Sequence, residues 1–190
     1  MPLLTEARMR SLVHDSLTAA GLTDAEAAAC TEASIFADLR GTSTHGIVYM
    51  VRRTLASMAT GNTVSGAEIK VEHDTPAASL VRGTGVVGPV GGVAAMDRAV
   101  DKARRNGIGI VNVFGGNPIG LLGYYANLAA EKSMFGMVMA NTAPSAAPHG
   151  AVSAVLGTNP FAYAAPTPDG RSMIFDIAAT VASYGKLNQA

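Results

Sequence analysis

The 190-residue chain holds four histidines, one cysteine and two glycine-rich turns from which chemistry could be built. His14, His45, His73 and His149 stand in no HExxH, HxH or CxxC arrangement, so zinc has no ligand set and a metal site is disfavoured. No Gly-x-Ser-x-Gly elbow and no GxxxxGK[ST] loop occurs, and Cys30 lies inside a helical pattern with no base beside it. Hydrolase and NTPase chemistry therefore lack a nucleophile or a phosphate cradle. His45 is the residue best placed for proton transfer. It follows Asp38-Leu39-Arg40-Gly41 and the polar turn Thr42-Ser43-Thr44, at an expected helix N-terminus. There the helix dipole lowers an imidazole pKa and backbone amides face a ligand. The position suits a proton donor to a carbonyl; the residues alone leave open a histidine that does no more than cap the turn.

The segment Gly83-Thr84-Gly85-Val86-Val87-Gly88 fits GxGxxG, with a short strand expected before it and a helix after it. A dinucleotide fingerprint also needs an acid near the end of a second strand, about 20 residues on. Asp101 and Glu131 both fall in expected helices, so the bland reading, a close-packed turn feeding a helix, stands beside the functional one. Asn141-Thr142-Ala143-Pro144 follows an expected strand and offers a hydroxyl and an amide at a strand end, where ligands bind in mixed sheets. Leu156-Gly157-Thr158-Asn159-Pro160 is a second uncharged polar turn, and either could equally be an ordinary loop. Asp176 is the only acid of the last strand region, with Thr180, Tyr184 and Lys186 after it.

The elements that must position these residues follow from periodicity. Met9, Leu12, Val13 and Leu17 fall on one face of a helix over 5–20, ended by Gly21. Thr23-Asp24-Ala25-Glu26 is a capping box, so a second helix is expected over 24–39. A third is expected from His45 or Gly46 to Thr60. Short strands are expected over 69–72 and 78–81, then an amphipathic helix over 89–105 closed by Gly107. A strand over 108–114, a helix over 121–132 and a strand over 135–140 read as one βαβ-like unit. Phe161–Ala164 and Ser172–Phe175 flank Pro166-Thr167-Pro168-Asp169-Gly170, whose chemistry suits a hairpin. The expected organisation is an N-terminal helical segment, 1–65, and a mixed α/β domain, 66–190.

Composition narrows the function classes. The chain is 48% hydrophobic and 15% charged, with net charge zero, which excludes disorder as the main state. No basic run exceeds two residues, so nothing attracts phosphate backbones or anionic lipid, and nucleic acid is not an expected partner. Asn and Pro interrupt the long uncharged stretches 106–130 and 134–168, so neither is a membrane span. A lone cysteine and the charged Glu6, Arg8, Arg10 and Asp15 near the start point to a cytoplasmic protein. The last 85 residues carry only six charges: Glu131, Lys132, Asp169, Arg171, Asp176 and Lys186. That half is expected to lie against another subunit or a complementary chain.

Taken together, the motifs resemble the malate/L-lactate dehydrogenase family of NAD(P)-dependent oxidoreductases that lack a Rossmann fold. The resemblance rests on Ala37-Asp38-Leu39-Arg40-Gly41 with Thr44-His45-Gly46, Gly123-Tyr124-Tyr125-Ala126, and Asn141-Thr142-Ala143-Pro144 with Pro148-His149-Gly150. Leu156–Pro160 and Phe175-Asp176-Ile177-Ala178 with Gly185-Lys186 complete it, in family order from about residue 5 to Leu187. It implies a mixed α/β fold peculiar to the family and a homodimer. The implied reaction is hydride transfer between NAD or NADP and a 2-oxo or 2-hydroxy acid, or a related imine. By position His45 matches a family proton donor. Thr142 matches a hydroxyl that contacts the cofactor, and Asp176, Ile177, Ala178, Ala179 and Thr180 match a cofactor-binding segment. Two departures stand out: Asn117-Pro118-Ile119-Gly120 replaces the family's Asn-His-Phe-Gly, and Tyr49 replaces an arginine that would grip a carboxylate, for which Arg52 or Arg53 would have to substitute. Family members also continue well beyond Lys186, which implies C-terminal truncation and an incomplete cofactor domain. Two functions are therefore in play: an oxidoreductase with His45 as acid, or a catalytically silent relative serving as a dimerisation or complementation module.

Overall fold

Helix starts are set by hydroxyl caps. In the computed structural model, which describes residues 4–181, the Thr5 hydroxyl accepts from the Arg8 amide at 3.3 Å and opens α1 (Glu6–Ala19). Helix α2 (Asp24–Leu39) opens on the expected capping box: the Glu26 amide donates to the Thr23 hydroxyl at 3.3 Å and the Thr23 amide to the Glu26 carboxylate at 2.9 Å. The buried Glu26 carboxylate also accepts from the Ser65 hydroxyl at 2.7 Å and the Gly66 amide at 2.8 Å, tying the start of α2 to a distant turn. Burial pushes its pKa up, but the hydrogen bonds from Ser65, Thr23 and Gly66 outweigh burial and hold it below the usual glutamate value. Glu26→Ala should cost about 1 to 3 kcal/mol, because it removes the buried, ionised acceptor of hydrogen bonds from Thr23, Ser65 and Gly66. Urea unfolding checks this. Because the folded pKa is depressed, the contribution is complete above the unfolded value of about 4.3 and is lost as pH falls through the folded one.

The chain divides into two compact units, Met1–Leu121 and Leu122–Ala190. In the first, Val13, Leu17, Leu22, Ala27, Cys30 and Val87 form a buried cluster, with Met9, Ile47, Val51, Met58 and Val90 packed against it. Burial raises the Cys30 thiol to about 12, so it is a core side chain and not a nucleophile. A short 3-10 turn (Ser43–His45) precedes α3 (Ile47–Ala59). Strands β1 (Lys70–Asp74), β2 (Ala78–Arg82) and β3 (Ile110–Phe114) form a sheet in that order. β1 and β2 are antiparallel; β2 and β3 are parallel and joined through α4 (Gly88–Asn106). Asp74 accepts from Lys102 at 2.7 Å, Ser79 at 2.6 Å and Arg98 at 2.8 Å, which pins the end of β1 to α4.

The second unit sets α5 (Leu122–Ala130) on an antiparallel sheet of β4 (Gly136–Met139), β5 (Phe161–Pro166) and β6 (Ser172–Ile177), ordered β4-β5-β6. Ala126 and Ala130 meet Ala164, with Val138 and Ile174 at the margin. Strand alternation sends Met137, Met139, Phe161, Phe175 and Ile177 to the exposed side. The β5–β6 hairpin turns as expected, with the Thr167 amide on the Arg171 carbonyl at 2.8 Å and Gly170 at φ +79°. Among the described residues no helix is long and apolar enough to cross a membrane.

One expectation is overturned. Strands 108–114 and 135–140 do not share a βαβ unit: β3 pairs with β2, one helix upstream, and β4 pairs with β5. Periodicity marks strands but carries no information on partners, and the nine-residue α5 packs on the sheet of β4 to β6 instead. The βαβ unit that does form is β2-α4-β3. The third helix starts at Ile47, because the chain first makes the 3-10 turn that holds His45.

Candidate active site

His45 is presented by the junction between α2 and α3. α2 stops at Leu39, and Gly41 at φ +72° reverses the chain while the Thr42 amide returns to the Ala37 carbonyl at 2.9 Å. The His45 amide then closes on the Thr42 carbonyl at 3.0 Å, forming the 3-10 turn. The half-buried ring places Nδ1 3.0 Å from the Thr44 hydroxyl and packs on Tyr49, with centroids 5.2 Å apart and planes 50° apart. Burial lowers the His45 pKa below its ordinary value. The direction is the one expected, and its cause is desolvation. With Nδ1 turned to the Thr44 hydroxyl, Nε2 is the nitrogen left for proton exchange. Arg52 and Arg53, on α3 beyond Tyr49, are exposed.

The glycine turn is a packing device. It does link β2 to α4 inside a βαβ unit, yet Val86, Val87, Gly88 and Pro89 at the start of α4 are all buried. A Cβ on Gly88 would lie 1.9 Å from the Pro118 carbonyl oxygen, so this glycine is what lets loop 115–120 pack directly on the start of α4. Asn117 holds that loop: Nδ2 donates to the Val86 and Asn62 carbonyls, each at 2.9 Å, and Oδ1 accepts from the Ser57 hydroxyl at 3.2 Å. Sequence reasoning quoted Asn117 only as part of a motif. Its signal was an amide side chain between glycines and a proline, the composition of a loop that needs bracing.

In the second unit the antiparallel register brings three loops to one end of the sheet. The residues after β4, before β5 and after β6 meet there, because Met139 and Ile177 both pair with Phe161. The Thr142 hydroxyl accepts from the Thr158 amide at 2.7 Å and lies 3.1 Å from the Thr158 hydroxyl. The Thr142 amide donates to Asn159 Oδ1 at 3.1 Å, and the Ala179 amide to the Thr158 carbonyl at 2.8 Å. Thr142 and the segment Ala178-Ala179-Thr180 are thus gathered, and Thr158 and Asn159 join them, which motif matching had not assigned. Ile177 is exposed at the end of β6. Asp176 turns to α5 instead: its Oδ2 accepts from the Gly123 amide at 2.6 Å. Burial raises its pKa, and the Gly123 and Leu122 amides oppose that. Tyr184, Gly185 and Lys186 lie outside the described residues. Among the described residues no cluster of three or more His, Cys, Asp or Glu could hold a metal.

The gathered groups are uncharged hydroxyls, amides and carbonyls, hydrogen-bonded to one another. A family model described as malate/L-lactate dehydrogenase matches residues 4–190. Malate dehydrogenase of Pyrococcus abyssi is 41% identical over 177 residues, 93% of this chain and 48% of that protein. Malate/(S)-sulfolactate dehydrogenase of Methanothermus fervidus is 32% identical over 181 residues, 95% of this chain and 53% of that protein. The solved structure of malate dehydrogenase from Pyrococcus horikoshii OT3 superposes with a TM-score of 0.93 at 36% identity, over 97% of this chain and 53% of that one. The chain spans about half the length of the relatives it matches. A mixed α/β fold shared with the solved relative, motifs in family order and a family model matched over nearly the whole chain agree: this protein belongs to the malate/L-lactate dehydrogenase family.

Proposed function

We propose that the chain carries the acid/base residue and part of the cofactor site of a cytosolic, homodimeric NAD(P)-dependent oxidoreductase acting on a 2-oxo or 2-hydroxy acid, or on a related imine. The observation that carries the reading is His45: half-buried, its Nδ1 on a buried hydroxyl, its pKa lowered by burial. Bound nicotinamide would supply or accept the hydride. His45 Nε2 would hand a proton to the carbonyl oxygen or imine nitrogen in reduction and take it back in oxidation. The Thr44 hydroxyl can donate to or accept from Nδ1, so it serves either ring state. Thr142, Thr158 and residues 177–180 would line the cofactor site, and Asp176 would support them by fixing α5 to β6. The exposed apolar side of the second sheet supports a homodimer or complementary chain. The silent-module alternative has nothing comparable behind it, because the relatives are named as dehydrogenases.

Titration of NADH and NADPH into the purified chain tests the reading, with nicotinamide fluorescence as the signal and light scattering for size. Saturable binding is expected, and the tighter of the two identifies the cofactor. Failure of both to bind a soluble protein would overturn the cofactor assignment.

A further inference from the structure

His45 sits in a turn of three residues between two helices, and a turn that short holds no ring in place by itself. The Asp38 side chain, at the end of α2, reaches nine residues forward and accepts the Ile47 amide on Oδ2 at 2.9 Å, capping α3 from outside that helix. Gly46 makes the reach possible: a Cβ there would lie 1.8 Å from Asp38 Oδ1 and 2.3 Å from its Cγ. The carboxylate therefore fills the space that a side chain immediately after His45 would take. The Gly46 side offers no capping group of its own, since the residue at the α3 N-cap has no side chain. The Asp38 backbone contributes as well, its carbonyl accepting the Gly41 amide at 2.9 Å. One residue thus closes α2 and opens α3, and the turn that carries His45 is strung between those two attachments.

We infer that Asp38 is a positioning residue for His45: through the Ile47 amide and the bare backbone of Gly46 it fixes the turn that holds the imidazole against Thr44 and Tyr49. The inference rests on the reading of His45 as the acid, but its test does not need turnover. The His45 ring signals are assigned in a histidine-selective NMR spectrum by their absence in His45→Ala, and its pKa is then followed in Asp38→Ala, Asp38→Asn and Gly46→Ala. The titratable groups these contacts bring to the turn are Asp38, against Gly46, and the Tyr49 phenol, whose ring packs on the imidazole.

In Asp38→Ala the cap is lost, the ring becomes solvated and its pKa rises toward the ordinary value of about 6.5. Asp38→Asn, an equally good capping acceptor, restores the wild-type pKa. Gly46→Ala, whose methyl displaces the carboxylate, reproduces the Asp38→Ala shift. Should Asp38→Ala not fold, Asp38→Asn and Gly46→Ala decide. An unchanged His45 pKa in a folded Asp38→Ala or Gly46→Ala, or a shift of equal size in Asp38→Asn, overturns the inference. If His45→Ala leaves reduction unaffected while these shifts occur, the acid assignment falls and the positioning role stands.

Discussion

Replacing His45 with alanine is expected to lower turnover roughly 10²- to 10⁴-fold while the dissociation constant for the nicotinamide cofactor changes little. The separation is the test. A positioned acid acts on the transition state, so its loss falls on kcat; a histidine that merely shaped the α2–α3 junction would weaken binding and stability together. Reduction with a saturating 2-oxo acid, run beside a fluorescence titration of NADH, distinguishes the two. The pH profile carries a sign. Burial lowers the His45 pKa, so under the proposed role the protonated ring needed for reduction is depleted as pH rises through a value below the ordinary 6.5 or so, and oxidation is expected to gain as reduction declines. The same shift makes the fold lose stability as pH falls below about 6.5, because the unfolded chain then binds more protons at this ring.

Gly88→Ala is expected to destabilise the first unit by about 3 to 5 kcal/mol, and Gly91→Ala, three residues along the same helix, to change stability by no more than about 1 kcal/mol. At Gly88 an added Cβ meets the Pro118 carbonyl oxygen at 1.9 Å and its carbon at 2.7 Å, backbone atoms that cannot rotate away. At Gly91 the nearest atoms are Val86 Cγ1 at 3.6 Å and Ile69 Cγ2 at 3.9 Å, ordinary van der Waals contacts. Thermal or urea unfolding of the two variants checks the ranking. Equal stability of the two would show that the loop of Asn117 and Pro118 moves aside freely.

Other details of the site divide in the same way between what a motif announces and what packing makes of it. Asp38 and Asp176 look alike in sequence, single acids near the ends of apolar segments. Both prove to cap a helix from outside it, Asp38 on the Ile47 amide at 2.9 Å and Asp176 on the Gly123 amide at 2.6 Å. Each faces a glycine that leaves room for it. The capping box of α2, Thr23 to Glu26, was readable because it closes within four residues. The caps of Asp38 and Asp176 span 9 and 53 residues, and no local rule reports them.

Periodicity, caps and turn chemistry by themselves determined α1, α2, α4 and the β5–β6 hairpin, because each is decided by neighbours along the chain. The order of the family motifs determined the membership and marked His45, Thr142 and residues 176–180. Only the tertiary structure decided that β3 pairs with β2 and not β4, since strand pairing depends on which edges meet after long connections close. It alone turned the GxGxxG segment into a buried support beneath Asn117 and Pro118. It alone drew Thr142, Thr158 and Ala179 to one end of a sheet, through a register that sequence periodicity does not encode.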